Sequence, residues 1–239
     1  YNYNIQKLIF LRHAILEYCT YLDSIDLQYD YISTKDPRSN LGKLFDFFQS
    51  EGVTGLTIID PIDSELSQDF KRYSSDNNIH LQTVTNDSFL NSDVREDAFF
   101  RSDKRIFRHA DFYKKQRIKH NILMDGDLPR GGKWSFDTDN RKSYPKSKKV
   151  PLIHHPSGNL FRRAIDEISE EFPDNIGTLP SAQLYPSNHS EARKWFEEFL
   201  NERFKEFGSY EDAILSDELF INHSVLSPML NCGLLTPAY

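Results

Sequence analysis

The sequence predicts an α/β fold that gives way to helices alone, and three observations carry that prediction. Between Asn4 and Thr85, helical and strand-like stretches alternate, the pattern of a parallel sheet flanked by helices. From 125 to 158 the chain is rich in Gly, Pro and charged residues, which interrupt any regular element. Beyond Pro156 every apolar periodicity is helical. With 239 residues and 38% hydrophobic side chains, the chain is long enough for one large domain or two small ones around a real core. The expected organisation is an α/β domain over 1–124, a connector over 125–158 and the beginning of a helical domain over 159–239.

Asn4 is placed to cap a helix whose apolar residues Ile5, Leu8, Ile9, Leu11, Ile15, Leu16 and Leu22 recur near helical spacing. Leu27, Tyr29 and Tyr31 alternate with polar neighbours, which predicts a strand over Leu27–Ser33. Asn40–Ser50 reads as a helix with Leu41, Leu44, Phe45, Phe47 and Phe48 inward, stopped by Gly52. Leu56–Ile59 reads as a strand, Asp63–Ser74 as a helix bearing Leu66, Phe70 and Tyr73, and Leu81–Thr85 as a further strand. No Gly-rich phosphate loop follows any of these strands, which argues against an NAD or ATP site here.

Asp87–Ser102 is polar and irregular. A long helix is expected over Lys104–Met124, with Ile106, Phe107, Phe112, Tyr113, Ile118 and Leu123 inward. Arg105, Arg108, Lys114, Lys115, Arg117 and Lys119 would form its basic outer face. The connector carries Trp134 and Phe136, which are expected to pin it across both domains, with Asp137, Asn140 and Arg141 making fixed polar contacts. A catalytic carboxylate at Asp137 or Asp139 has no neighbouring nucleophile or His in sequence to support it. In the last third, Asn159–Phe172 reads as a helix with Leu160, Ile165 and Ile168 inward. Asn188 with Glu191 three residues on predicts the start of a helix running to Phe207, its buried stripe being Ala192, Trp195, Phe196, Phe199, Leu200 and Phe204.

Composition narrows the function. The net charge of −7 argues against indiscriminate nucleic-acid binding, yet Arg101–Lys149 holds fifteen Lys and Arg against six Asp and Glu. Such a block is either a solvated helix face with a basic linker or a phosphate-facing surface. Cys19 and Cys232 are the only cysteines and have no metal-ligand spacing. The adjacent His154 and His155 lack a third ligand nearby in sequence, so no metal site is expected. With no apolar run of membrane-spanning length and no signal-peptide pattern, the reading is a cytoplasmic protein.

Near the C-terminus, Ile221–Leu235 reads as a turn feeding a helix start. Ser224 and Ser227 stand where first-turn N–H groups are unpaired, and Pro228 suits a first helical position. Such a site is either an ordinary N-cap or an anion seat.

Two stretches carry a family resemblance. Ser224–Leu235 resembles the flavin-embracing segment of the cryptochrome and photolyase superfamily, in which a Ser-x-x-Leu-Ser-Pro-like turn opens a helix against the FAD phosphates. Gly131-Gly132-Lys133-Trp134-Ser135-Phe136-Asp137-Thr138-Asp139-Asn140-Arg141-Lys142 is similar to the signature of the photolyase-related branch, the iron-sulfur bacterial cryptochromes and prokaryotic (6-4) photolyases. Phe172–Gly177 and Phe207–Ala213 follow in the order that branch shows.

The resemblance implies an incomplete Rossmann-like N-terminal domain, lacking its first strand, followed by the start of an all-helical FAD-binding domain. The chain would be a middle fragment of a light-driven photolyase for pyrimidine (6-4) photoproducts, inactive alone. The alternatives are a cryptochrome-like blue-light photoreceptor or a flavin-free interaction domain. It also implies Tyr210, His223, Ser224, Val225, Leu226 and Ser227 as FAD-contacting residues, with His223 departing from the Thr of many relatives. Lys114, Lys115, Lys146, Lys148, Lys149, His154 and His155 become weak candidates for DNA contact. The implied cofactors are FAD, a lumazine antenna and a 4Fe–4S cluster whose ligands lie outside this chain. The implied partner is damaged DNA, with no membrane and a monomeric state.

Overall fold

A computed structural model describes residues 3–91, 98–136, 138 and 140–239, and the chain forms two compact units, each discontinuous in sequence. The first comprises the N-terminal 92 residues, Pro156–His189 and Met229–Tyr239, and the second comprises Asp93–His155 and Ser190–Pro228.

In the first unit, helix α1 (Ile5–Ser24) starts where Asn4 Oδ1 accepts from the Gln6 amide at 2.9 Å. It packs on α5 (Leu160–Glu171) through Ile5, Ile9 and Leu16 against Ala164, Ile165 and Ile168, with Leu8, Leu160, Phe161 and Phe172 around them. Beside this apolar seam Arg12, 6% exposed, places Nη1 at 2.5 Å from Glu167 and Nη2 at 2.9 Å from Glu171. Burial opposes the Arg12 charge, but the two carboxylates outweigh it and raise its pKa. Burial works against both carboxylates, while the hydrogen bonds from Arg12 hold Glu171 and Glu167 below the usual carboxylate range.

The expected α/β alternation is present. Helix α2 (Leu41–Ser50), capped by Asn40, buries Phe45 fully against Phe48, Phe70 and Tyr73. Strands β1 (Gly55–Ile59) and β2 (His80–Val84) pair in parallel, Gly55 with His80 through Ile59 with Val84, and α3 (Ser64–Asp76), capped by Asp63, connects them. The strand expected at Leu27–Ser33 does not form. A strand needs a ladder partner, and none is present for this stretch among the described residues. Leu27, Tyr29 and Tyr31 stay exposed, and desolvation with Cys19 and Asp23 of α1 pushes the Tyr29 phenol up to about 12.

In the second unit, α4 spans only His109–Lys119, shorter at both ends than the periodicity suggested. At its start, Phe107 and Phe112 join Phe99 and Phe100 in one aromatic cluster. At its end Arg117 turns inward, 6% exposed, and donates from Nε to the Ile122 carbonyl at 3.1 Å and from Nη2 to the Leu123 carbonyl at 2.5 Å. Those bonds close the helix with its own side chain, which is why Arg117 is not on the basic outer face. Ile106, Phe107, Tyr113, Ile118 and Leu123, expected inward, are exposed. A short hairpin, β3 (Met124–Asp125) with β4 (Leu128–Pro129), follows.

The last long helix is not uniform. Helix α6 (His189–Glu198) runs into a wide π-type turn (Phe199–Arg203), then α7 (Phe204–Phe207) and a 3-10 turn (Gly208–Tyr210). In the wide turn the Phe204 amide reaches the Phe199 carbonyl, an i→i+5 bond. Trp195 and Phe199 are buried as expected, and Arg203, on the same face at the ordinary spacing of four, is wholly buried, while Leu200 and Phe204, expected in the stripe, are exposed.

Candidate functional site

The turn singled out in the sequence lies in the second unit up to Pro228. Helix α8 (Ser227–Asn231) begins at Ser227, as the hydroxyl-Pro pattern suggested. Its five residues carry little dipole, so any hold on an anion must come from amides and hydroxyls of the turn itself. Ser227 is exposed, and His223, Ser224, Val225 and Leu226 are half-buried.

Two consecutive carbonyls of this turn are occupied by side chains from the preceding helix. Trp195 Nε1 donates to the Ser224 carbonyl at 2.9 Å, and Arg203 Nε donates to the His223 carbonyl at 3.3 Å. Asn222 Nδ2 in turn donates to the Arg203 carbonyl at 3.4 Å. Arg203 Nη1 is 2.7 Å from Glu198, whereas Arg203 Nη2 and Asn222 Oδ1 are buried without a hydrogen-bond partner. Val225 adopts φ +54°. For a β-branched residue that left-handed conformation costs about 1–3 kcal/mol. A neutral and a charged hydrogen bond on the two preceding carbonyls, together about 2–4 kcal/mol, are enough to hold it.

Glu198 extends this network to the connector. Its second oxygen takes a hydrogen bond from His154 Nδ1 at 2.9 Å. Burial disfavours the Glu198 charge, but Arg203 and His154 prevail and lower its pKa. His155 lies against Trp195 and Phe220, with ring centroids 6.1 and 6.2 Å away. The His pair is thus divided between an ion pair and an aromatic contact. No group of three or more His, Cys, Asp and Glu suited to a metal occurs among the described residues.

Tyr210 packs against Tyr144, ring centroids 4.8 Å apart, with Lys148 Nζ 4.9 Å above the Tyr210 ring. The next residue meets the turn directly, because His223 Nε2 donates to the Glu211 carbonyl at 3.0 Å. A cavity of about 370 Å³ beside His223 is lined by Glu211, Asp212, Glu218, Ile214, Leu219 and Ile221. Its carboxylates would repel phosphate.

A second, open cleft of about 630 Å³ gathers Lys114, Arg117, Arg130 and Lys205 around Trp134 and Phe136. Arg117 and Lys114 lie 5.3 and 5.9 Å from the Trp134 ring, a cation–π arrangement. Lys115 lies 5.2 Å from Phe99. Lys148 is ion-paired with Glu206, which raises its pKa. Lys146 and Lys149 are exposed, and the Lys149 carbonyl accepts from Tyr144 at 3.1 Å. Arg141 pairs with Asp212 at 3.7 Å on the surface. Asp137 and Asp139 lie outside the described residues.

Sequence reasoning took Trp195 for core and did not single out Arg203. An Arg eight residues after a Trp, on a helix whose stripe otherwise reads Phe, was the available signal.

Fold and site together define an α/β protein whose basic, aromatic connector leads into helices that clamp a polar turn. The chain belongs to the deoxyribodipyrimidine photo-lyase-related protein family, whose model matches residues 1–184. It is similar to a (6-4) photolyase of Agrobacterium fabrum, 33% identical over 156 residues, covering 60% of this chain and 30% of that enzyme. It is also similar to an uncharacterized protein of Acanthamoeba polyphaga mimivirus, 34% identical over 149 residues, covering 60% of this chain and 74% of the viral protein. The chain therefore spans less than a third of the length of the Agrobacterium relative.

Proposed function

We propose that the protein containing this chain is a light-driven, FAD-dependent DNA repair photolyase acting on pyrimidine (6-4) photoproducts. The observation that carries this reading is the 33% identity to a (6-4) photolyase within a photolyase-related family. The family match ends at Leu184, so the assignment of FAD to the 223–227 turn rests on its motif and on its geometry. The geometry fits: the turn is polar, its carbonyls are taken by Trp195 and Arg203, and its hydroxyls belong to Ser224 and Ser227.

In this reading His223, Ser224, Val225, Leu226 and Ser227 bind the FAD phosphates, and Tyr210 stands beside the flavin. When bound, reduced FAD supplies one electron to the lesion after absorbing light. Lys114, Lys115, Lys146, Lys148 and Lys149, with His154 and His155, face DNA phosphates, and the damaged base leaves the duplex to be repaired. A 4Fe–4S cluster does not fit this chain, which holds two cysteines where four ligands are needed. For a lumazine antenna no residue is assigned. The cavity beside His13 in the first unit, about 40 Å³, admits water and not a pigment.

Repair of a defined (6-4) photoproduct under blue light tests the proposal. A flavin-bearing protein that leaves the lesion intact would favour a photoreceptor, and a colourless protein would refute both flavin readings. For the basic surface, replacing Lys114, Lys115, Lys148 and Lys149 with Glu should weaken DNA binding and lower the slope of log K against log salt by about three to four. An unchanged slope would refute the phosphate-facing role.

A further inference from the structure

We propose that Trp195 and Arg203 are positioning residues that turn the amides of Ser224 and Val225 outward, toward the pyrophosphate of a dinucleotide. The proposal rests on the reading of this turn as the FAD phosphate seat and adds the residues that shape it. The argument starts from the peptide plane. A trans peptide holds its C=O and its N–H on opposite sides, and no cis peptide bond occurs among the described residues. The His223 carbonyl shares its peptide with the Ser224 amide, and the Ser224 carbonyl shares its peptide with the Val225 amide. Both carbonyls are drawn to donors on the helical segment, Arg203 Nε at 3.3 Å and Trp195 Nε1 at 2.9 Å. The two amides must therefore face away from that segment. Successive N–H groups beside a left-handed residue form a concave anion-binding nest, and Val225 at φ +54° is that residue.

Helical spacing brings both donors to the same face. Arg203 lies four residues after Phe199 and eight after Trp195, so all three share the inward face. Arg203 is then completely enclosed, with Nη1 on Glu198 at 2.7 Å and Nη2 unpartnered. Glu198 compensates the Arg203 charge, so what Arg203 supplies to the turn is orientation, through its Nε bond to the His223 carbonyl.

The test uses the complete natural protein and FAD itself, with affinity read from flavin fluorescence and the phosphate environment from 31P NMR of bound FAD. Trp195→Phe keeps a ring and removes the N–H donor, so FAD affinity should fall about fivefold to tenfold and the 31P resonances should shift. Val225→Gly in the Trp195→Phe background should restore affinity, because Gly holds positive φ without the clamp. A merely structural Trp would not be rescued in this way. Unchanged affinity and 31P shifts in Trp195→Phe, or no rescue by Val225→Gly, would overturn the positioning role. The double variant Ser224→Ala/Ser227→Ala separates the two levels: reduced affinity there with an unaffected Trp195→Phe leaves the seat and removes the clamp. Unchanged affinity in the Ser double variant would remove the seat as well.

Discussion

Replacing Arg12 with Met should selectively weaken the first unit. Met keeps the aliphatic contacts along the α1–α5 seam and removes the guanidinium, which reaches Glu167 at 2.5 Å and Glu171 at 2.9 Å from a side chain 6% exposed. Breaking one side of a buried ion pair costs about 3–5 kcal/mol, because the partner charge is left uncompensated. Glu167 retains Arg163 at 2.7 Å and Glu171 retains the Thr34 hydroxyl, so the expected loss is at the low end, about 3 kcal/mol. That is roughly a hundredfold in the local opening constant. Hydrogen exchange of α1 and α5 amides measures it directly. Both tryptophans, Trp134 and Trp195, lie in the second unit, so their fluorescence is an internal control that should not change.

The pH dependence has a definite sign. Both glutamates have depressed pKa values in the folded chain, so their contribution is complete above the unfolded carboxylate range and is lost as pH falls through the folded values. In Arg12→Met burial instead raises the Glu171 pKa, so the deficit should be largest near neutral pH and shrink in acid. Adding Glu171→Gln should recover part of the loss at neutral pH. A neutral-pH deficit below about 1 kcal/mol would show that the network is not what joins the two helices.

Other expectations follow from single residues. Gly177→Ala should destabilise the start of α1 by about 1–3 kcal/mol, since a Cβ there, at φ +108°, meets both amide atoms of the capping Asn4 at 2.8 Å. Thermal melting checks it, and Asn4→Ala alone should cost about 1 kcal/mol. Cys232, whose thiol burial pushes up in pKa, should react with an alkylating reagent at pH 8 far more slowly than a free thiol peptide.

Much of the architecture was legible because it is local. Asn4 does cap α1 as expected, and the helices read from Asn40 and Asp63 begin one residue later with those two residues as their caps, since a cap is decided within three residues of its own position. The parallel pair of short strands around α3 was legible from alternation, and Ser227 does open a helix. The strand at Leu27–Ser33 was not, because pairing depends on a neighbour that periodicity cannot supply. Nor was the length of α4, which Arg117 ends by bonding its own downstream carbonyls.

The sequence by itself determined the helix starts, the basic connector and the family signature, all written in contiguous residues. Only the tertiary structure decided what Trp195 and Arg203 do. Trp195 and Arg203 share one helical face, but that their donors meet the carbonyls of Ser224 and His223, 20 or more positions away in sequence, is set by how the turn packs against that face. That choice is made by packing between elements, where no single stretch of the chain carries the information.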